Sequence, residues 1–173
     1  GMLNRGEVKG LISPSPKAHE SILIPHETDI TLPVTLSIPK IGVEAKIEYV
    51  GLDKDNAMDI PKADMNVAWY QLGAKPGELG NSVMAGHFDK KDGKPAVFAK
   101  LDELEKGDEL LVTDENGKNL KFKVTETASY KLEEFPLKAV FGANTKSRLN
   151  LITCEGVFDK SSRLYSHRLV VYS

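Results

Sequence analysis

The chain has 173 residues, a length that suits one domain with a sizeable core. Hydrophobic residues make up 40% and charged residues 28%, the balance of an ordinary globular protein. A net charge of −2 excludes broad nucleic-acid binding, which needs a basic face to displace phosphate counterions. The single cysteine excludes an internal disulfide framework.

Residues 1 to 33 lack steady periodicity and carry Ser13-Pro14-Ser15-Pro16, Pro25 and Pro33. Proline fixes φ and removes backbone donors, so this stretch is expected to be an extended linker or arm, with Ile22-Leu23-Ile24 able to dock. Gly1 before Met2 reads as a cloning remnant, so a native segment is expected to precede it. No run reaches the roughly 20 apolar residues that a membrane helix needs.

A domain is expected over residues 34 to 173. Thr35 to Pro39 and Val43 to Val50 alternate in polarity, as half-buried strands do. After the turn-rich Gly73 to Gly80 comes a short strand, Ser82-Val83-Met84-Ala85, which runs into Gly86-His87. Val97, Leu101 and Leu104 have helical spacing. Leu110 to Thr113 and Leu120 to Thr127 read as two strands, joined by the tight hairpin that Asn116-Gly117 favours. Residues 128 to 148 read as a long mixed connection, often a sign of function. Strands at Leu149 to Thr153 and Arg168 to Tyr172 close the chain. Many short strands with little helix predict an all-β, barrel-like fold.

Cys154 stands after Leu149-Asn150-Leu151-Ile152-Thr153 and before Glu155-Gly156. It is either a strand-end residue filling a core gap or a thiol held at a cleft, which needs a base or a positive charge beside it. Of four histidines, His19 and His26 lie in the arm and His167 sits beside the last strand. His87 follows a short strand and a glycine, so its ring emerges at a strand end and makes the best candidate base. Arg168 opens the apolar run Leu169 to Tyr172. It marks either the solvated start of a strand or a guanidinium aimed into a cleft to hold an oxyanion. Arg163 competes for that role. Asp102, Glu103, Glu105, Asp108 and Glu109 could hold Ca²⁺, but a solvated charged face is the simpler reading. Asp89 and Asp92 read as loop residues around a Lys-Lys turn.

Taken together these residues resemble the sortase family. The matching pieces occur in order: Ser37-Ile38-Pro39-Lys40-Ile41, Met84-Ala85-Gly86-His87, Phe98-Ala99-Lys100-Leu101, Lys106-Gly107-Asp108-Glu109, Leu149 to Cys154, and Tyr165-Ser166-His167-Arg168. The resemblance implies a closed eight-stranded β-barrel and a cysteine transpeptidase without cofactor or metal. Cys154 would be the nucleophile, His87 the general acid and base, and Arg168 the oxyanion stabiliser. Ala85 and Ile152 match positions that line the family's peptide groove. The implied partners are a surface protein bearing a C-terminal LPxTG-like sorting motif and an amine of a peptidoglycan precursor. The implied location is the outer face of the cell membrane, with an N-terminal anchor. A hydrolytic thiol endopeptidase and a non-catalytic peptide-binding module are the alternatives. Residues 1 to 33 lack the Asp-Pro-aromatic lid motif of pilin-polymerising members. Gly73 to Glu78 and Cys154 to Asp159 look most like the class D and F end of the family.

Overall fold

The computed structural model describes residues 30–173; most of the expected N-terminal arm, His19 and His26 included, lies outside them. Nine strands form: β1 (Pro33–Ile38), β2 (Val43–Val50), β3 (Val67–Tyr70), β4 (Gly80–Ala85), β5 (Glu109–Asp114), β6 (Asn119–Lys123), β7 (Glu126–Lys131), β8 (Ser147–Asp159) and β9 (Leu164–Tyr172). Among the described residues one short α-helix, α1 (Leu137–Phe141), precedes β8.

All nine strands belong to one curled sheet, in the order β6-β5-β1-β2-β3-β4-β8-β9-β7. The expected closed eight-stranded barrel is therefore a half-barrel of nine strands, mainly β as expected. Its two edge strands are consecutive in the chain. Val124 N–H still donates to Asp108 O at 2.8 Å, whereas Thr125 N–H donates to Tyr172 O at 2.8 Å. Within two residues the backbone leaves one edge of the sheet and joins the other, so a covalent link replaces the closing ladder. The single strand expected over residues 120 to 127 is thus split in two.

The connection expected over 128 to 148 is also more regular than its sequence suggested. β7 runs to Lys131, a 3-10 turn covers Leu132–Glu134, and α1 follows. The helix expected near residues 97 to 104 forms only as successive three-residue turns, including the 3-10 segment Leu101–Glu103. Ala99, Leu101 and Leu104 each donate to the carbonyl three residues back. Phe98, Leu101 and Leu104 are spaced by three, so they eclipse on one side of such turns and enter the core together.

Strands β3, β4, β8 and β9 bury both faces, and alternation divides their side chains between two clusters. Trp69, Met84, Leu151 and Val171 fill the concave side with Leu36, Ile38 and Phe98. Ala68, Tyr70, Val83, Ala85, Ile152 and Val170 form the other face, under Val140 and Phe141 of α1. Packing on both sides makes these four strands a rigid platform, and the candidate residues stand at one end of it.

Candidate active site

Strands β4 and β8 run parallel with Ala85 opposite Ile152. One residue further, Gly86 N–H donates to Ile152 O at 3.1 Å and the buried Thr153 hydroxyl donates to Gly86 O at 2.9 Å. These bonds bring His87 and Cys154 out of neighbouring strands at the same level. On the other side, the antiparallel β8–β9 ladder places Arg168 directly opposite Cys154. Directly opposed residues have Cβ atoms about 4.5–5.5 Å apart. Cys154 therefore sits on the middle strand, with His87 to one side and Arg168 to the other.

Gly86 is where the platform leaves no room. A Cβ there would stand 2.6 Å from Phe98 Cδ2 and 2.8 Å from Val97 Cγ1, and both neighbours are buried in the core. Gly86→Ala is expected to cost about 1–3 kcal/mol of stability through overpacking. A denaturant midpoint equal to that of the parent protein would contradict this.

Cys154 is not at the end of its strand. The ladder slips between Glu155 and Phe158 and then resumes, with Phe158 opposite Tyr165. Gly156 makes the slip possible. Its φ is +87°, and a Cβ there would come within 2.2 Å of Ser166 Oγ. The expected strand end at Cys154 is therefore a bulge at Gly156, just past the cysteine, inside a longer strand.

Arg168 is only 5% exposed. Its Nη1 donates to His167 O at 3.1 Å and, at 3.4 Å, to Tyr165 O. Its Nε is buried and has no hydrogen-bond partner among the described residues. A buried cation with an unmatched donor is costly, and an anionic or carbonyl oxygen beside it removes the cost. Arg163, the competing arginine, lies in the exposed turn between β8 and β9, with φ +61° and its N–H on Asp159 O. The structure brings Arg168 to Cys154 and leaves Arg163 at the hairpin tip.

Cys154 is partly buried, and burial pushes its thiol above the usual cysteine value. The Arg168 charge pulls it down, while the Asp89 charge pushes it up. The resting group is accordingly a thiol. His87 makes no hydrogen bond to it among the described residues. Its Nε2 lies 2.7 Å from Pro61 O. A carbonyl can only accept, so Nε2 carries the proton, and in the neutral ring Nδ1 is left as the acceptor. The segment holding Pro61 is fixed in turn by Glu48, whose carboxylate accepts from Lys62 N–H at 2.9 Å, Ala63 N–H at 3.1 Å and the Asn66 amide at 3.0 Å. Burial pushes the Glu48 carboxyl up, but these bonds outweigh it and hold the group below its ordinary value.

Ala85 and Ile152 are 1% and 0% exposed, packed in the cluster beneath α1. They directly support the backbone that carries His87 and Cys154 and present almost no surface of their own. In the acidic cluster, Lys40 pairs with Asp108 at 3.0 Å and with Glu105 at 3.7 Å. No group of three or more potential metal ligands stands together among the described residues.

Asp89, expected as a loop residue, lies outside the named strands as expected, and it meets Tyr165, which the sequence offered only as part of the resemblance. The Tyr165 hydroxyl donates to Asp89 Oδ2 at 2.5 Å, and its ring meets those of Phe88 and Phe158 edge-on. Burial, then the hydrogen bond to Asp89 and its charge, push the phenol up to about 12. The Asp89 charge raises the Cys154 thiol, and Cys154 in turn raises the Tyr165 phenol. The only trace in the sequence is their offset: two residues after His87, and three before Arg168.

The sortase-domain family model matches residues 36–173. Among solved structures, sortase C-1 from Actinomyces oris is 25% identical, with a TM-score of 0.64 over 99% of this chain and 86% of that one. Sortase A from Corynebacterium diphtheriae is 20% identical, with a TM-score of 0.63 over 97% and 77% of the two chains. Sortase A from Listeria monocytogenes is 22% identical, with a TM-score of 0.59 over 83% and 86%. The last two likenesses speak for the fold alone. No curated protein matches the chain.

Proposed function

The chain belongs to the sortase family, whose members are cysteine transpeptidases, and from that premise we propose that it cuts an LPxTG-like C-terminal sorting motif between Thr and Gly and passes the acyl group to an amine of the cell wall. Cys154 attacks the Thr carbonyl. Its proton leaves for His87 Nδ1, the ring nitrogen not engaged by Pro61. Charge gathers on the former carbonyl oxygen, and Arg168 stabilises it. His87 then gives the proton to the departing glycine nitrogen as the C–N bond breaks, leaving a Thr thioester on Cys154. In the second half-reaction the incoming amine attacks the thioester, His87 takes its proton, and the thiol re-forms.

The observation that carries this reading is the pairing of Cys154 with a buried arginine whose Nε donor is unmatched. A cation in that place serves an oxyanion that exists only during acyl transfer, and so lowers the barrier rather than merely tightening binding. The reading places the enzyme at the outer face of the membrane, on an N-terminal tether. No helix among the described residues is long and apolar enough to cross a membrane.

The test incubates the protein with an LPxTG-type peptide, with and without an amine acceptor. Transpeptidation gives a new amide whose yield rises with the amine. Cleavage products that ignore the amine would leave a thiol endopeptidase instead.

A further inference from the structure

A single peptide group joins His87 to a carboxylate that the proposed reaction does not use. His87 Nε2 donates to Pro61 O at 2.7 Å. At the other end of the same amide, Lys62 N–H donates to Glu48 Oε1 at 2.9 Å. No peptide bond is cis among the described residues, and the C=O and N–H of a trans amide share one plane and point in opposite directions. Whatever fixes the N–H therefore aims the carbonyl. Glu48 and His87 grip the two ends of one rigid unit.

Glu48 lies on β2, and the crossover from β2 to the parallel strand β3 carries Pro61 back past it. Its second oxygen, Oε2, accepts from Ala63 N–H at 3.1 Å and from the Asn66 amide at 3.0 Å. Pro61 has no N–H of its own to anchor it. Backbone bonds hold the crossover to either side, with Asp59 N–H on Gly51 O at 2.9 Å and Val97 N–H on Asp64 O at 3.1 Å. Between those points, among the described residues, the hydrogen bonds that tie residues 61–63 to the sheet run to Glu48 and to His87 itself.

We infer that Glu48 is a positioning residue for His87, acting through the Pro61–Lys62 peptide group to hold the ring as its Nε2–H tautomer. Nδ1 is then the nitrogen open to a proton, which is the part the proposed reaction gives it, and to that extent the inference rests on the catalytic reading. Geometry keeps the carbonyl where Nε2 reaches it. Polarisation acts in the same direction: a carboxylate on the amide N–H makes the carbonyl at the other end a better acceptor, because hydrogen bonds in a chain strengthen one another. A neutral ring with no fixed acceptor at Nε2 divides between two tautomers, and only one of them has Nδ1 free.

Nitrogen-15 NMR of the histidine rings tests this without any peptide. Above about pH 8 an ordinary imidazole is neutral. A locked ring then gives one protonated and one bare nitrogen signal, whereas an averaging ring draws the two together. The His87 signals are those missing from His87→Gln. The parent protein is expected to show the locked Nε2–H pattern. In Glu48→Ala the two signals are expected to converge, and kcat for transpeptidation to fall about tenfold with KM within about twofold. Glu48→Gln keeps one acceptor oxygen and should fall between. Asn66→Ala disturbs the same crossover but spares both backbone bonds to Glu48, so it should keep the parent pattern.

A parent ring that averages or carries its proton on Nδ1 overturns the inference. So does an unchanged pattern in folded Glu48→Ala, or an Asn66→Ala pattern that matches it. If Glu48→Ala does not fold, Glu48→Gln carries the same expectation at smaller size. Activity lost in Glu48→Ala with the pattern unchanged defeats this inference and leaves the catalytic reading standing. Convergence in Glu48→Ala, when the parent forms no adduct on Cys154, upholds this inference and defeats that reading.

Discussion

Arg168→Ala is expected to slow thioester formation by about 10²–10³-fold, the size of effect seen when one oxyanion donor is removed. Single-turnover acylation with a sorting peptide reads this rate without interference from the amine step. Arg163→Ala, which touches only the hairpin tip, should stay within about twofold of the parent. The contrast follows from the β8–β9 register, which puts Arg168 across from Cys154 and Arg163 in the exposed turn. Arg168→Lys should recover part of the loss, because an ammonium restores charge but not the planar fork of donors. A large effect of Arg163→Ala beside a small one of Arg168→Ala would mean that the hairpin rearranges on binding substrate.

Cys154→Ala should abolish cleavage and transfer altogether while leaving the fold in place. The side chain is only partly buried, and β8 is held on both sides by β4 and β9, so losing one sulfur is expected to cost about 1 kcal/mol or less. Far-ultraviolet circular dichroism and a denaturant midpoint check that half of the expectation. His87→Ala should cut turnover by about 10²–10⁴-fold, the usual worth of a positioned acid and base. Its loss should be greatest with substrates whose leaving amine most needs protonation. Residual activity in Cys154→Ala beyond trace level would remove the cysteine from the mechanism.

How much of this was legible in the sequence depends on how far apart the cooperating residues lie. The strands at Thr35 to Pro39 and Val43 to Val50 could be read because alternation is local. The hairpin at Asn116-Gly117 could be read because turn chemistry is local too, and the Asp114 carboxylate indeed accepts from the Asn116 and Lys118 N–H groups. His87, Cys154 and Arg168 stood out through their ordered resemblance to the sortase family rather than through periodicity. Their shared level across β4, β8 and β9 is a matter of register, which follows from the whole platform.

Asp89 looks like a loop carboxylate until Tyr165 is brought to it from the far side of β8. The sheet's open edge could not be foreseen, because Val124 and Thr125 carry no turn signal; they change partner strands inside a continuous extended run. Cys154 was expected at a strand end, since a glycine that ends a strand and one that bulges it, as Gly156 does, look alike in sequence. At 97 to 104 the apolar spacing fits both a helical face and a string of 3-10 turns. Tight packing of Phe98 against Gly86 favours the second.

The central claim is that Cys154 carries the acyl group, and intact-protein mass spectrometry tests it most directly. The protein is mixed with an excess of sorting peptide, quenched in acid before the amine step, and digested to locate any adduct. The account predicts a mass gain equal to the peptide fragment that ends in Thr less one water, carried by Cys154 and discharged when an amine is added. Cleavage of the peptide with no adduct on Cys154, or an adduct on another residue, would contradict it.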